Sequence, residues 1–187
     1  MTIVNSLKGM HDAFFHTLEK LAGDWFLGLA ARLVFSSVLL VFFVNSAMTK
    51  VGSGFPDMFI PAVGAYAQIV PPVAEAAGYD PSQIAVFPWK LIVLAGTYAE
   101  FLLPIMLLIG LFTRFTALSL IGFIVVMSVV DVTLHGLDPK SVGFVFDRVQ
   151  DAIIADQRLL WVFPLIYLVL RGAGPVSVDG VLASRRG

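Results

Sequence analysis

A single acid inside a long apolar run constrains this chain more than any other feature. Residues Trp89 to Arg114 read WKLIVLAGTYAEFLLPIMLLIGLFTR, and between Leu91 and Phe112 the only charged residue is Glu100. At ~1.5 Å per residue the run is about long enough to cross a hydrocarbon core, which puts Glu100 near its middle. Pro104 stands four residues on, where its missing N–H leaves the carbonyl of residue 100 without a helical partner. A carboxyl and a freed carbonyl then lie at one kink and need partners inside the protein. Gly96 and Thr97 share that face at i−4 and i−3, so another element can approach closely there. Two readings of Glu100 fit: an uncharged acid hydrogen-bonded across helices to hold a bundle, or a group that handles a ligand or proton.

Composition places the rest of the chain in the same class. Of 187 residues 58% are hydrophobic and 13% charged, with a mean hydropathy of +0.90, whereas soluble domains are about 25% charged. The expectation is an all-α membrane protein of one domain. A formal net charge of −1 and the lack of a basic run before Arg185-Arg186 argue against nucleic acid as a partner. Without cysteine, a thiol relay or a thiolate-held metal has no ligands in the chain. Only His135 of the three histidines lies beside an expected span, so a haem between two histidines has none either. No intrinsic cofactor or metal is expected.

Residues 1–26 do not read as a signal peptide and fit an interfacial amphipathic helix. Met10, Phe14, Leu18, Leu21 and Trp25 recur at steps of three and four, with Asn5 or Ser6 as its cap. Four spans are expected at about 27–48, 89–112, 115–135 and 152–171, within a bundle domain of residues 27–182 and ahead of a tail at 183–187. Arg32 and Lys50, near the ends of the first span, are expected to snorkel to headgroups. Asn45 needs a partner on a neighbouring helix. Residues 51–88 hold six prolines and cannot be one helix. Their longest apolar piece, Met58 to Val70, is too short to span and reads as an interfacial segment or lid.

Asp131 and His135 lie i, i+4 at the end of the third span, where the carboxylate can orient the imidazole. The fourth span is free of charge only from Leu159 to Leu170, about 18 Å, so its helix has to begin earlier. That draws Asp156 and Arg158 to the depth of Asp131 and His135, which predicts a polar vestibule on the outer side. Lys and Arg favour the side of the termini by seven to five, so both ends are expected in the cytoplasm.

Four features share one order and spacing: Arg32 opening the first span and Lys50 closing it, Glu100 in the second, Gly110-Leu111-Phe112-Thr113-Arg114 followed by Ala117, and Arg171 to Asp179 with Gly172, Gly174, Ser177 and Asp179. In these the chain resembles the DoxX family over residues 27–182. It departs at Ser46 and Ala47, where relatives often carry glycine, and in the long proline-rich connection. Locally, Gly172 or Gly174 suits a helix cap, Pro175 stops continuation and Ser177 can cap a last turn. The resemblance implies a four-helix protein of the bacterial inner membrane, found in relatives beside quinone-linked sulfur oxidation, oxidative-stress enzymes and copper handling. Carried over by position, Arg32, Lys50, Glu100 and Arg114 are its polar residues.

Three functions remain open at this point. The first is an accessory subunit of a redox or metal-stress membrane system, which contacts a quinone and has an oxidoreductase or metal-handling protein as partner; the resemblance favours it. The second is a small proton, ion or solute transporter built on Glu100. The third is a quinone-reacting enzyme with Tyr98, Glu100 and His135 around the quinone oxygens. Oligomerisation is left open.

Overall fold

The computed structural model describes residues 2–185. Among them there is no β-strand, only an isolated bridge between Val51 and Pro61. The chain forms α1 (Thr2–Met48), α2 (Val63–Ile69), α3 (Pro71–Ala76), α4 (Leu91–Ile109), α5 (Thr113–Thr133), α6 (Pro139–Val142), α7 (Leu159–Arg171) and α8 (Val178–Ser184). Single π-helical turns, Val86–Lys90 and Ile153–Arg158, lead into α4 and α7. With these turns, α4 and α7 join α1 and α5 as four helices long and apolar enough to cross a membrane: Ile3–Met48, Val86–Ile109, Thr113–Thr133 and Ile153–Arg171.

The four pack in the cyclic order α1, α4, α5, α7, each against its two neighbours. Their shared core is Phe35, Leu39 and Phe43 of α1, Leu107 of α4, Leu120 and Ile124 of α5, and Leu165 and Leu168 of α7. The α1 residues recur every four positions, which keeps them on one helical stripe.

Several helix boundaries differ from the sequence reading. The second long helix is preceded by a turn from Val86 in which Phe87 is extended (φ −106°, ψ 132°), so helical geometry begins at Pro88, beside the expected 89, where no backbone N–H is needed. It ends at Gly110, whose φ of 70° and ψ of 48° make the left-handed stop that glycine adopts without strain. The third then starts at Thr113, two residues before the expected 115, and ends at Thr133. The N-terminal element is helical from Thr2, so Asn5 and Ser6 lie within it and do not cap it. Gly23 (φ 46°, ψ −154°) breaks the helical geometry and separates an arm, 2–22, from the bundle part, 24–48. Met10, Phe14, Leu18 and Leu21 of the arm are all exposed.

The proline-rich connection folds into a cap with its own small core: Ala65, Tyr66, Val70, Ala74 and Ile84 packed with Val93 of α4. Burial raises the Tyr66 phenol above its ordinary pKa. Two acids shape the loops. Asp80 accepts from the backbone and hydroxyl of Ser82, and Asp138 from the hydroxyl of Ser141 and the backbone of Lys140. These bonds hold both carboxyls below their usual range.

Candidate functional site

The polar residues singled out in the sequence divide between the two ends of the bundle. At the end near the termini, Arg32 is buried and does not snorkel. Its Nη1 donates to the Leu108 carbonyl at 3.0 Å and its Nη2 to the Val176 carbonyl, so it ties the end of α4 to the segment before α8. Asp179 accepts from the backbone N–H groups of Phe112 and Thr113, each at 2.8 Å, and thereby satisfies free donors at the start of α5. Its own N–H donates to the Gly110 carbonyl at 2.9 Å. Ser177 caps α8 by accepting from Gly180 N–H, and its hydroxyl donates to the Gly174 carbonyl. A Cβ on Gly110 would lie 2.6 Å from Arg32 Nη1 and from Ser177 Cβ, so crowding as well as positive φ requires glycine there.

Gly172 ends α7 with a φ of 80°. At Gly174 a Cβ would come within 2.8 Å of the Asp24 carbonyl, so α1 passes close over this turn. The GLFTR and RGAGPVSVD stretches and Arg32 therefore form one clasp whose bonds run almost entirely to backbone. Arg114 stands apart from it: the side chain is exposed, beside Gly172.

At the opposite end, buried ions pair with one another. Lys50 is 3% exposed and Glu100 5%, and Lys50 Nζ donates to Glu100 Oε2 at 2.9 Å and to the Ser46 hydroxyl at 2.8 Å. This corrects the snorkelling Lys50 of the sequence reading: the lysine turns inward and gives Glu100 its partner inside the bundle. Across the bundle Arg158, 6% exposed, donates to Asp131 Oδ2 and, at 2.8 Å, to the Ser128 hydroxyl. Its Nε is buried and has no hydrogen-bond partner among the described residues.

Both pairs line one cavity of about 530 Å³ between α4 and α5, roofed by Gln68 and Ile69 of the cap. His135 sits at its edge, and its Nε2 lies 3.1 Å from the Gln68 carbonyl. A carbonyl only accepts, so Nε2 is the donor in that bond. The remaining walls are apolar or small, with Gly96, Ala99, Gly122 and Phe123 among them. Gly96 faces the cap, where a Cβ would lie 3.1 Å from Ile69 Cδ1. Thr97 and Pro104 are buried on the same face of α4.

Four expectations for the site fail. His135 follows the end of α5 and bonds Gln68, so Asp131 does not orient it but pairs with Arg158. Asp156 lies outside the cavity, because its carboxylate accepts the Ala152 N–H and closes the first turn before α7. Tyr98 turns away and donates to the Phe59 carbonyl at 2.9 Å, which anchors the cap. Asn45 is exposed, and its amide makes no hydrogen bond among the described residues. The sequence reading missed Ser46, Gln68 and Ser128. Ser46 was readable, since it precedes Lys50 by one helical turn. Gln68 and Ser128 carried no signal, because their roles depend on how the cap and α7 fold back.

No family model, no curated protein and no solved structure matches this chain.

Proposed function

We propose that this chain is a DoxX-like protein whose four long helices span the bacterial inner membrane, and that it serves a redox or metal-stress system as an accessory subunit holding a quinone. The cavity where Lys50–Glu100, Arg158–Asp131 and His135 meet carries the reading. An ion pair buried among apolar residues is a weak device for stability, since well-packed apolar residues often do as well or better. Two pairs along one cavity are better explained by use. The family part rests on the motif stretches alone, and their convergence in one clasp supports it.

A quinone fits the residues present. Arg158 lines the cavity with N–H donors left over after its bonds to Ser128 and Asp131, and the walls between α4 and α5 suit a ring and tail. When bound, a quinone supplies two-electron redox chemistry, which this cysteine-free chain lacks. The chain's own contribution is to place the head, keep water out and hold fixed charges around it. Electrons come from, or pass to, a partner protein.

In this reading the termini face the cytoplasm, residues 2–22 lie along the membrane interface, and the cap covers the cavity on the outer side. A transporter is less well supported. An apolar core of Phe35, Leu39, Leu120, Ile124 and Leu165 packs on the clasp side of the cavity, and the buried polar residues at its level, Ser36 and Thr116, carry no charge.

Purification in mild detergent from the native membrane, with extraction of bound quinone and mass spectrometry of co-purifying proteins, tests the proposal. Bound quinone together with an oxidoreductase or metal-handling partner supports it. A protein that comes out alone, carries no quinone, and gives vesicles a solute flux abolished by Lys50→Met with Glu100→Met contradicts it and installs the transporter.

A further inference from the structure

The cavity is not closed on all sides. Ala95 of α4 and Gly122 and Val126 of α5 line it and are also exposed on the outer face of the bundle, so it opens sideways between these two helices. The opening lies midway along both, level with Glu100 and Phe123. Small residues on each flank, Ala95 and Ala99 on one and Ser119 and Gly122 on the other, leave a gap that larger side chains would fill. A Cβ built on Gly122 meets nothing within 4 Å. If the helices span the membrane, an opening at that height faces hydrocarbon.

The charges inside select what can enter. Lys50 and Arg158 are each matched by a carboxylate, so neither is free to neutralise an anion, and neither Glu100 nor Asp131 is free for a cation. A charged head would have to break a buried pair or sit there unpaired, and both are costly. What stays unmet is the rest of the Arg158 guanidinium, which spends one N–H each of Nη1 and Nη2 on Ser128 and Asp131 and keeps further donors where it lines the cavity.

We infer that the cavity takes uncharged amphiphiles with an oxygen-bearing head, which enter from the bilayer through the gap between α4 and α5 and place the head oxygen at Arg158. The inference rests on the membrane reading above but not on a quinone or a redox partner.

The test uses the full chain in nanodiscs of zwitterionic lipid and three photoreactive probes that share one sixteen-carbon diazirine tail (about the half-thickness of a bilayer) but differ in head: a methyl ketone, a carboxylate and a quaternary ammonium. Crosslinks are mapped by mass spectrometry. The ketone probe should label residues of the 92–103 and 119–130 walls saturably, with the charged probes roughly a hundredfold weaker. Arg158→Lys keeps a cation for Asp131 but loses the spare N–H donors of the guanidinium, and should weaken ketone labelling about tenfold. Gly122→Phe, at an exposed position with room for a side chain, should slow or abolish labelling by plugging the gap. Val126→Trp is a second plug should the first perturb the helix.

Charged probes that label the walls as well as the ketone overturn the head selectivity. Full labelling in both plugged variants overturns the sideways route. A chain that does not insert into nanodiscs refutes the membrane reading and the inference with it. Saturable ketone labelling in a protein that carries no native quinone refutes only the redox proposal.

Discussion

The two ends of this bundle hold similar residues to opposite effect. At the clasp, Arg32 and Asp179 bond backbone groups at helix termini and in the turn before α8. Every bond there meets a need that the fold itself creates, and the side chains have little left to offer a ligand. At the cavity, Lys50, Glu100, Asp131 and Arg158 bond mainly one another across space that stays open. They meet needs they bring themselves. The contrast teaches that a buried charge becomes informative about function when its partner is another side chain facing a void.

The comparison can be broken most forcefully at Lys50 and Glu100. Glu100→Gln leaves the ammonium buried without its counter-charge and should cost about 3–5 kcal/mol of stability. Lys50→Met with Glu100→Met removes both charges and should restore most of it, as thermal unfolding in detergent would record. Loss in the double variant equal to that in the single would mean that the pair is not what the single variant breaks.

At the clasp, Arg32→Met removes two bonds to carbonyls and should cost about 2–4 kcal/mol, with little recovery from a second change at Asp179, since that carboxylate bonds backbone N–H groups and not Arg32. Gly110→Ala should lose about 1–3 kcal/mol, because alanine resists the left-handed conformation and its Cβ would crowd Arg32 and Ser177. Asp179→Ala, which frees the two donors at the start of α5, should cost about 1–2 kcal/mol. The smallest effect concerns pH. Asp80 and Asp138 sit below the usual carboxylate range when folded, so their contribution is present above that range and is lost as pH falls through it. Hydrogen exchange should show these two loops opening in acid before the bundle does.

Much of this was readable from residue order. Four apolar segments gave four long helices, the short charge-free stretch at Leu159 to Leu170 correctly required an earlier start, and six prolines ruled out a helix across 51–88. The positions of the charges were readable too, but their directions were not. A lysine or arginine near a helix end looks the same whether it reaches for solvent or for a partner 50 or 144 residues away, as Lys50 and Arg32 do. Local spacing also misled. Asp131 and His135 share a face at i, i+4, yet α5 stops at Thr133 and the cap supplies Gln68 to the histidine, so a distant fold-back overrides the helical register. Asp156 was drawn to the vestibule by depth alone, whereas a free N–H one turn earlier claims it.

The most direct test of the division sets one arginine from each end against the other, measuring unfolding and ketone-probe labelling on the same samples in nanodiscs. Arg32→Met should lower the unfolding midpoint and leave the labelling midpoint of the folded protein unchanged, whereas Arg158→Lys should weaken labelling about tenfold with a smaller change in unfolding. The reverse pattern, with labelling altered by Arg32→Met and untouched by Arg158→Lys, would contradict the account.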